Sequence, residues 1–293
     1  MRQSLIRTPP PNPPPQAGEG FFSLSRLRGR GGVGVCVLLA LLATPAQAVE
    51  VAPHRALYTL SLESAKPQSR VVGADGSLGY EWGESCDGWT IEQRYKLSLH
   101  NEDDPPVEIN SSFVTWESKD GLSYRFNERK TQNGQADDEI RGTASLKSAG
   151  GPGTAVFEKP KAQNFDLPAG TLFPTAHTLL LIKKGHGGEN FLSAEVFDGS
   201  TFDGATLISA VLGPTQPLST PSDSPVSSPL LLRPSWQVRL AFFPDANQEA
   251  QPDYELGMRL LANGVSSSMV IDYGDYVIRA TLKQIEALPK PAC

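Results

Sequence analysis

From Val51 onward, apolar residues recur at every second position almost everywhere. Tyr58, Leu60 and Leu62 alternate with Thr59 and Ser61. Leu78, Tyr80 and Trp82 follow, and Trp89, Ile91, Tyr95, Leu97 and Leu99 interleave with Glu92, Arg94 and Lys96. A period of two sends successive side chains to opposite faces, so each run predicts a strand with one buried and one wet face. The rhythm returns at Val107, Ile109 and Phe113 leading to Trp116, at Leu122, Tyr124 and Phe126, at Ile140 to Lys147 and at Thr154 to Glu158. It returns again at Phe191 to Phe197, at Thr206 to Leu212 and at Trp236, Val238, Leu240 and Phe242.

The last forty residues specify their own geometry. Asn263-Gly264 is a type I′ turn signal, because both residues tolerate positive φ. Counted outward from that turn, Leu260 faces Ser267, Met258 faces Met269, Leu256 faces Ile271 and Tyr254 faces Tyr273. Gly274-Asp275 suits a type II′ turn with glycine first, which sets Tyr276 opposite Tyr273, Ile278 opposite Ile271 and Ala280 opposite Met269. A three-stranded antiparallel meander results, too small to fold well alone. Asn133-Gly134 is a further turn signal.

One segment departs from the rhythm. Pro174 suits a first helical turn, Lys183 and Lys184 favour the negative end and Gly185 can cap it, so a short helix is expected near residues 174–184. Residues 214–235 carry six prolines and read as a surface loop. The alternation restarts beyond them, which argues against a domain boundary there. The expected fold is mainly all-β: one long antiparallel sheet over residues 49–293 that must close, curl or be covered at its edges. Curling without closure leaves an apolar trough suited to a peptide, a lipid tail or a partner protein.

The first 48 residues belong to export rather than to the fold. Six prolines fill Met1 to Gln16, then Arg26, Arg28 and Arg30 precede the apolar run Val33 to Ala43 and the small-x-small site Ala46-Gln47-Ala48. That order predicts a signal peptide cleaved after Ala48, with an apolar run too short for a stable membrane span. The Pro-rich start is foreign to such signals and reads as a mis-assigned translation start, with a genuine N-terminal tail as the alternative. Cys36 leaves with the leader. Cleavage removes five basic residues and one acidic residue, leaving 21 Lys+Arg against 31 Asp+Glu. So acidic a chain disfavours nucleic acid and anionic headgroups as partners.

Cys86 and Cys293 are the cysteines that remain. In an oxidising compartment they read as a disulfide, with two separate buried thiols as the alternative and no Cys-x-x-Cys spacing for redox chemistry. No dinucleotide fingerprint, phosphate loop, zinc spacing or nucleophile elbow is present, and no cofactor or metal is expected. His177, on the expected helix after Phe173-Pro174, can gate a cavity or serve as a hydrogen-bonded structural histidine. Asp103-Asp104 and Asp137-Asp138-Glu139 lack calcium-loop spacing and read as solvated turns. Tyr254, Tyr273 and Tyr276 can line a ligand cleft or simply pack across strands.

Several strings together carry a resemblance. Ala52-Pro53-His54-Arg55-Ala56 with Tyr58, Leu78-Gly79-Tyr80-Glu81, Cys86-Asp87-Gly88-Trp89, and Asp166-Leu167-Pro168 with Gly170-Thr171, Phe173-Pro174 and His177 resemble the EipB family of periplasmic cell-envelope integrity proteins. So do Val196 to Ser200 and the stretch from Tyr254-Glu255-Leu256 through Ile271 to Gly274 and on to Cys293. The resemblance implies an open β-spiral, or incomplete barrel, with one disulfide that maps onto Cys86 and Cys293. It also implies a periplasmic protein without enzymatic activity, linked to a tetratricopeptide-repeat partner. The leader before Arg26 and the length of the 214–235 loop depart from the family pattern. The reading that follows is a non-catalytic periplasmic protein that binds an envelope partner, protein or peptide, on its curved sheet. A lipid or lipoprotein carrier is the alternative, and a hydrolase built around His177 a further one.

Overall fold

A computed structural model describes residues 49–217, 225–243 and 251–293. The leader, the cleavage site and residues 218–224 of the Pro-rich loop lie outside the described residues. Within them the chain builds β1 (His54–Ala65), β2 (Val71–Glu84), β3 (Gly88–Asn101), β4 (Val107–Ser118), β5 (Ser123–Gln132), β6 (Gln135–Leu146), β7 (Gly153–Lys159) and β8 (Gln163–Leu167). Helix α1 (Pro174–His186) follows. The second half gives β9 (Phe191–Val196), β10 (Thr206–Leu212), β11 (Ser235–Phe243), β12 (Tyr254–Leu261), β13 (Ser266–Asp272) and β14 (Tyr276–Ala287).

All fourteen strands join one antiparallel sheet in the order β8-β7-β6-β5-β4-β3-β2-β1-β14-β13-β12-β11-β10-β9. The first and last strands therefore lie at its centre, paired from His54 against Ala287 to Ala65 against Tyr276. Its two edge strands, β8 and β9, are consecutive in the chain and separated by α1. The sheet does not close into a barrel. Register shifts within β1–β14, β2–β3, β5–β6 and β6–β7 mark irregularities of the kind that increase local twist and bend a sheet.

The two-residue rhythm survives in detail. Along β1, His54, Ala56, Tyr58 and Leu60 are buried while Arg55, Leu57, Thr59 and Ser61 face out. The inner faces form three apolar clusters: one around Tyr58, Leu78 and Ile278, one between α1 and β9–β12 around Trp236, and one of stacked aromatics around Tyr124. Cys86, in the β2–β3 connection, is bonded to Cys293 across 207 residues. The tail beyond β14 is further held by the Leu288 amide on Pro53 O at 2.9 Å and by the Lys290–Glu50 ion pair.

Three sequence expectations are corrected. Of the residues Asn263 and Gly264 only Gly264 has positive φ, at 86°, and Leu260 pairs with Ser266 rather than Ser267. The hairpin is thus longer than a type I′ turn and ends in a bulge; the register from Met258–Met269 outward is as expected. Asn133-Gly134, with φ of 52° and 77°, is the I′-like turn instead. Helix α1 runs to His186, and Gly185 lies inside it, so close to the Trp236 ring that a Cβ would stand 2.5 Å from it. Finally, the 214–235 segment is not wholly a surface excursion: Leu231 is fully buried in the central cluster, and Asn263 Nδ2 donates to Leu230 O at 2.9 Å.

Candidate functional site

Helix α1 organises the inner face. Its N-cap, Phe173, has no capping side chain, and Pro174 at the first position has no amide proton. The first two free amides, Thr175 and Ala176, donate instead to Glu117 of β4 at 2.7 and 2.8 Å. Glu117 is 2% exposed and does from 58 residues away what an Asp or Ser at the cap does locally. Burial pushes its carboxyl up to about 7, against the pull of the two amides. At the other end Leu181 and Ile182 are buried, Gly185 meets Trp236, and the Trp236 indole donates to Thr215 Oγ1 at 3.0 Å.

Phe173 is fully buried, stacked on Tyr124 at 4.9 Å, within a cluster completed by Phe126, Phe157 and Phe197. The Tyr124 hydroxyl donates to Asp198 O at 2.8 Å, and Gly199, with φ of 70°, lets the chain pass over the Phe126 ring.

His177, one turn into α1, does face a hollow. A cavity of about 570 Å³ lies between the helix and the sheet, walled by apolar side chains from both halves of the chain, such as Leu78 and Ile91 on one side and Leu240 and Leu256 on the other. A second space of about 250 Å³ shares part of that wall, and His177 borders both. The imidazole is 4% exposed, its Nε2 has no hydrogen-bond partner, and burial pushes it down to about 4, so it is neutral. Tyr254, Tyr273 and Tyr276 line the larger cavity together, as the cross-strand register arranges them. Tyr254 is also stacked on Phe242 at 4.1 Å, so packing and lining coexist there.

The polar side chains of this wall went unread in the sequence. Glu128 and Lys130 of β5 follow Tyr124 and Phe126 on the inward face, and pair with Phe113 and Ser111 of β4. Glu128 is 5% exposed. Its Oε1 accepts from Ser111 Oγ at 3.0 Å and meets Lys130 Nζ at 3.3 Å, whereas Oε2 has no partner. Burial, with a smaller push from Asp198, raises this carboxyl against the pull of Lys130 and Ser111. The period of two was the available signal, since a strand with Tyr124 and Phe126 inside must also carry Glu128 and Lys130 inside.

Asp137-Asp138-Glu139, expected in a turn, lie within strand β6 instead, because the turn is made by Asn133-Gly134 just before it. Asp103 and Asp104 approach Arg70 at 3.4 and 3.6 Å, and His100 pairs with Asp75. Among the described residues no group of three or more His, Cys, Asp or Glu side chains is placed to hold a metal ion, and no helix is long and apolar enough to cross a membrane.

An open antiparallel sheet, folded over a helix-capped hollow within the usual 300–1,000 Å³ range of ligand sites, defines a barrel-like protein with an internal cavity. A sequence model described as EipB-like matches residues 45–289, and the chain belongs to that family. It is 30% identical over 246 residues to the cell envelope integrity protein EipB of Brucella abortus (strain 2308), covering 83% of this chain and 87% of that protein. The crystal structure of a β-barrel-like protein of domain of unknown function DUF1849, also from Brucella abortus, superposes with a TM-score of 0.77 at 30% identity, covering 83% of this chain and all of that one.

Proposed function

We propose that the protein supports cell-envelope integrity from the periplasm, and that it does so by binding an elongated apolar ligand in the cavity beneath α1. The family relationship supports the envelope role. The observation that carries the binding reading is the hollow itself. The sheet packs aromatic rings tightly around Tyr124 yet leaves about 570 Å³ unfilled a few residues along the same strand. Interiors otherwise pack like organic crystals, and apolar hollows of this size serve ligands. Export through a signal peptide ending near Ala48 fits the Cys86–Cys293 bond, which belongs to an oxidising compartment.

Organic extraction of the chain purified from envelopes, followed by mass spectrometry, tests this reading. A stoichiometric apolar molecule is expected. Its absence, together with failure of the purified chain to take up any alkyl chain, defeats the proposal.

Partner binding on the sheet has its own support. Phe191 of the edge strand β9 and Val211 of β10 are a cross-strand pair, 57% and 56% exposed. Leu172 bridges the Val196 end of β9, so it is the exposed apolar pair at the Phe191 end that suits contact with another protein, and the tetratricopeptide-repeat partner implied by the family resemblance is the first one to test, by pull-down with and without Phe191→Ser. For hydrolysis, His177 lacks the hydroxyl or thiol partner that a nucleophile and base pair share. Alanine at His177 that abolished envelope complementation without changing thermal stability would reopen that reading.

A further inference from the structure

The cavity is apolar in area but not in chemistry. Two of the side chains that border it, Glu128 and His177, are more than nine-tenths buried and each carries a polar atom without a partner. Buried polar atoms are normally paired, because an unpaired one forfeits its hydration and gains nothing. Together with the Tyr95 hydroxyl, which is also buried without a partner on the same wall, these atoms point to a ligand that supplies the missing partners. Their chemistry is unequal. Neutral His177 has a ring nitrogen that either donates or accepts, depending on tautomer. Glu128 Oε2 can only accept when ionised, and Lys130 is spent on Oε1.

The charge of the wall narrows the choice. The charged side chains bordering the cavity are Glu128, Asp198 and Lys130, two carboxylates against one ammonium. Asp198 Oδ1 already accepts from the Ser200 amide at 2.9 Å, and Lys130 Nζ also reaches Ser200 O at 3.5 Å. A carboxylate or phosphate head with no cation of its own would face two like charges here, with the one counter-ion already engaged. A cationic donor would complete Glu128 and balance the wall.

Building on the binding reading above, we infer that the cavity takes a single-chain amphiphile with a primary ammonium head, and that Glu128 Oε2 receives that head while the alkyl chain lies along the apolar wall. The ammonium can come from a free long-chain amine or from an ethanolamine headgroup. Glu128 is then the residue that sets ligand class, and the aliphatic side chains set chain length.

Calorimetric titration of the full mature chain at pH 7 with dodecylamine, dodecanol and dodecanoate, all below their micellar concentrations, tests the assignment. Dodecylamine is expected to bind about tenfold more tightly than dodecanol, with dodecanoate weakest, in line with the strength of a charge-assisted hydrogen bond. In Glu128→Gln the amine should fall to the affinity of the alcohol while the alcohol is unchanged. Lys130→Met, which removes the competing ammonium, should widen the preference for the amine and serves if Glu128→Gln folds poorly. A lysophosphatidylethanolamine that matches or exceeds the amine identifies a membrane lipid as the source, and weaker binding identifies a free amine. Equal binding of all three dodecyl compounds, or an amine preference that survives Glu128→Gln, overturns the assignment while leaving the cavity as an apolar site. No binding by any of them overturns the binding reading itself.

Discussion

Strand β5 contributes to two neighbouring parts of the interior that are packed in opposite ways. Tyr124 and Phe126 enter a cluster where five aromatic side chains interlock and the one polar atom, the Tyr124 hydroxyl, is satisfied by Asp198 O. The next inward pair, Glu128 and Lys130, borders a hollow in which Glu128 Oε2 and His177 Nε2 are left unpaired. One strand, with one alternation, therefore builds both a filled core and an unfilled one. The hollow is not a failure of a sheet that cannot pack, because the same strand packs fully two residues earlier. The first region is packed for stability, and the second is where we place recognition.

Truncation should expose that division most strongly. Phe197→Ala, in the filled cluster, is expected to cost about 3–5 kcal/mol in urea unfolding, and Leu256→Ala, beside the cavity, about 2 kcal/mol or less, since part of its surroundings is already empty. Equal costs would erase the distinction. The reverse experiment, Leu256→Trp, fills the hollow and should lower alkyl-chain affinity at least tenfold while shifting stability by only about 1 kcal/mol.

The two buried titrating groups at the start of α1 should separate by sign. Glu117, held up at about 7 against an ordinary 4.5, keeps a proton in the folded chain that the unfolded chain has lost. Stability through this group falls as pH rises from about 4.5 to 7. His177, held down at about 4 against 6.5, does the opposite: the unfolded chain takes the proton first, and stability falls as pH drops from 6.5 toward 4. Denaturant titrations across that range should show Glu117→Gln flattening the first trend, at a cost of about 1–2 kcal/mol for the weakened cap, and His177→Phe flattening the second. A variant that leaves its slope unchanged removes the corresponding group from the account. The smallest effect belongs to the rim, where Phe191→Ser should change stability by no more than about 0.5 kcal/mol and show itself only in partner capture.

The strands were legible because burial is imposed on alternate residues, and Met258–Met269, Leu256–Ile271 and Ile271–Ile278 pair as the turns at the C-terminal end require. What escaped was non-local. β8 is only five residues long and lacks a clean apolar repeat. The cap of α1 comes from Glu117, on another strand, and no local signal at Phe173 announces it. Leu231 is buried despite its Pro-rich surroundings, because the central cluster receives it and Asn263 holds the neighbouring Leu230 carbonyl from a distant part of the chain. At the site, Tyr254, Tyr273 and Tyr276 are drawn together by hairpin register, whereas Phe173 stacks on Tyr124 in the filled cluster. Glu128 and Lys130 were readable and were passed over, since charged residues are usually assigned to the wet face.

The pairing of β1 with β14 has a consequence for how the molecule is made. A polypeptide delivered from its N-terminus can zip β1 through β8 early, but the inner flank of β1 stays an unsatisfied edge until the final strand arrives. The central seam is thus completed by the last strand to emerge, and a nascent chain halted before residue 276 would carry a long unpaired border open to association.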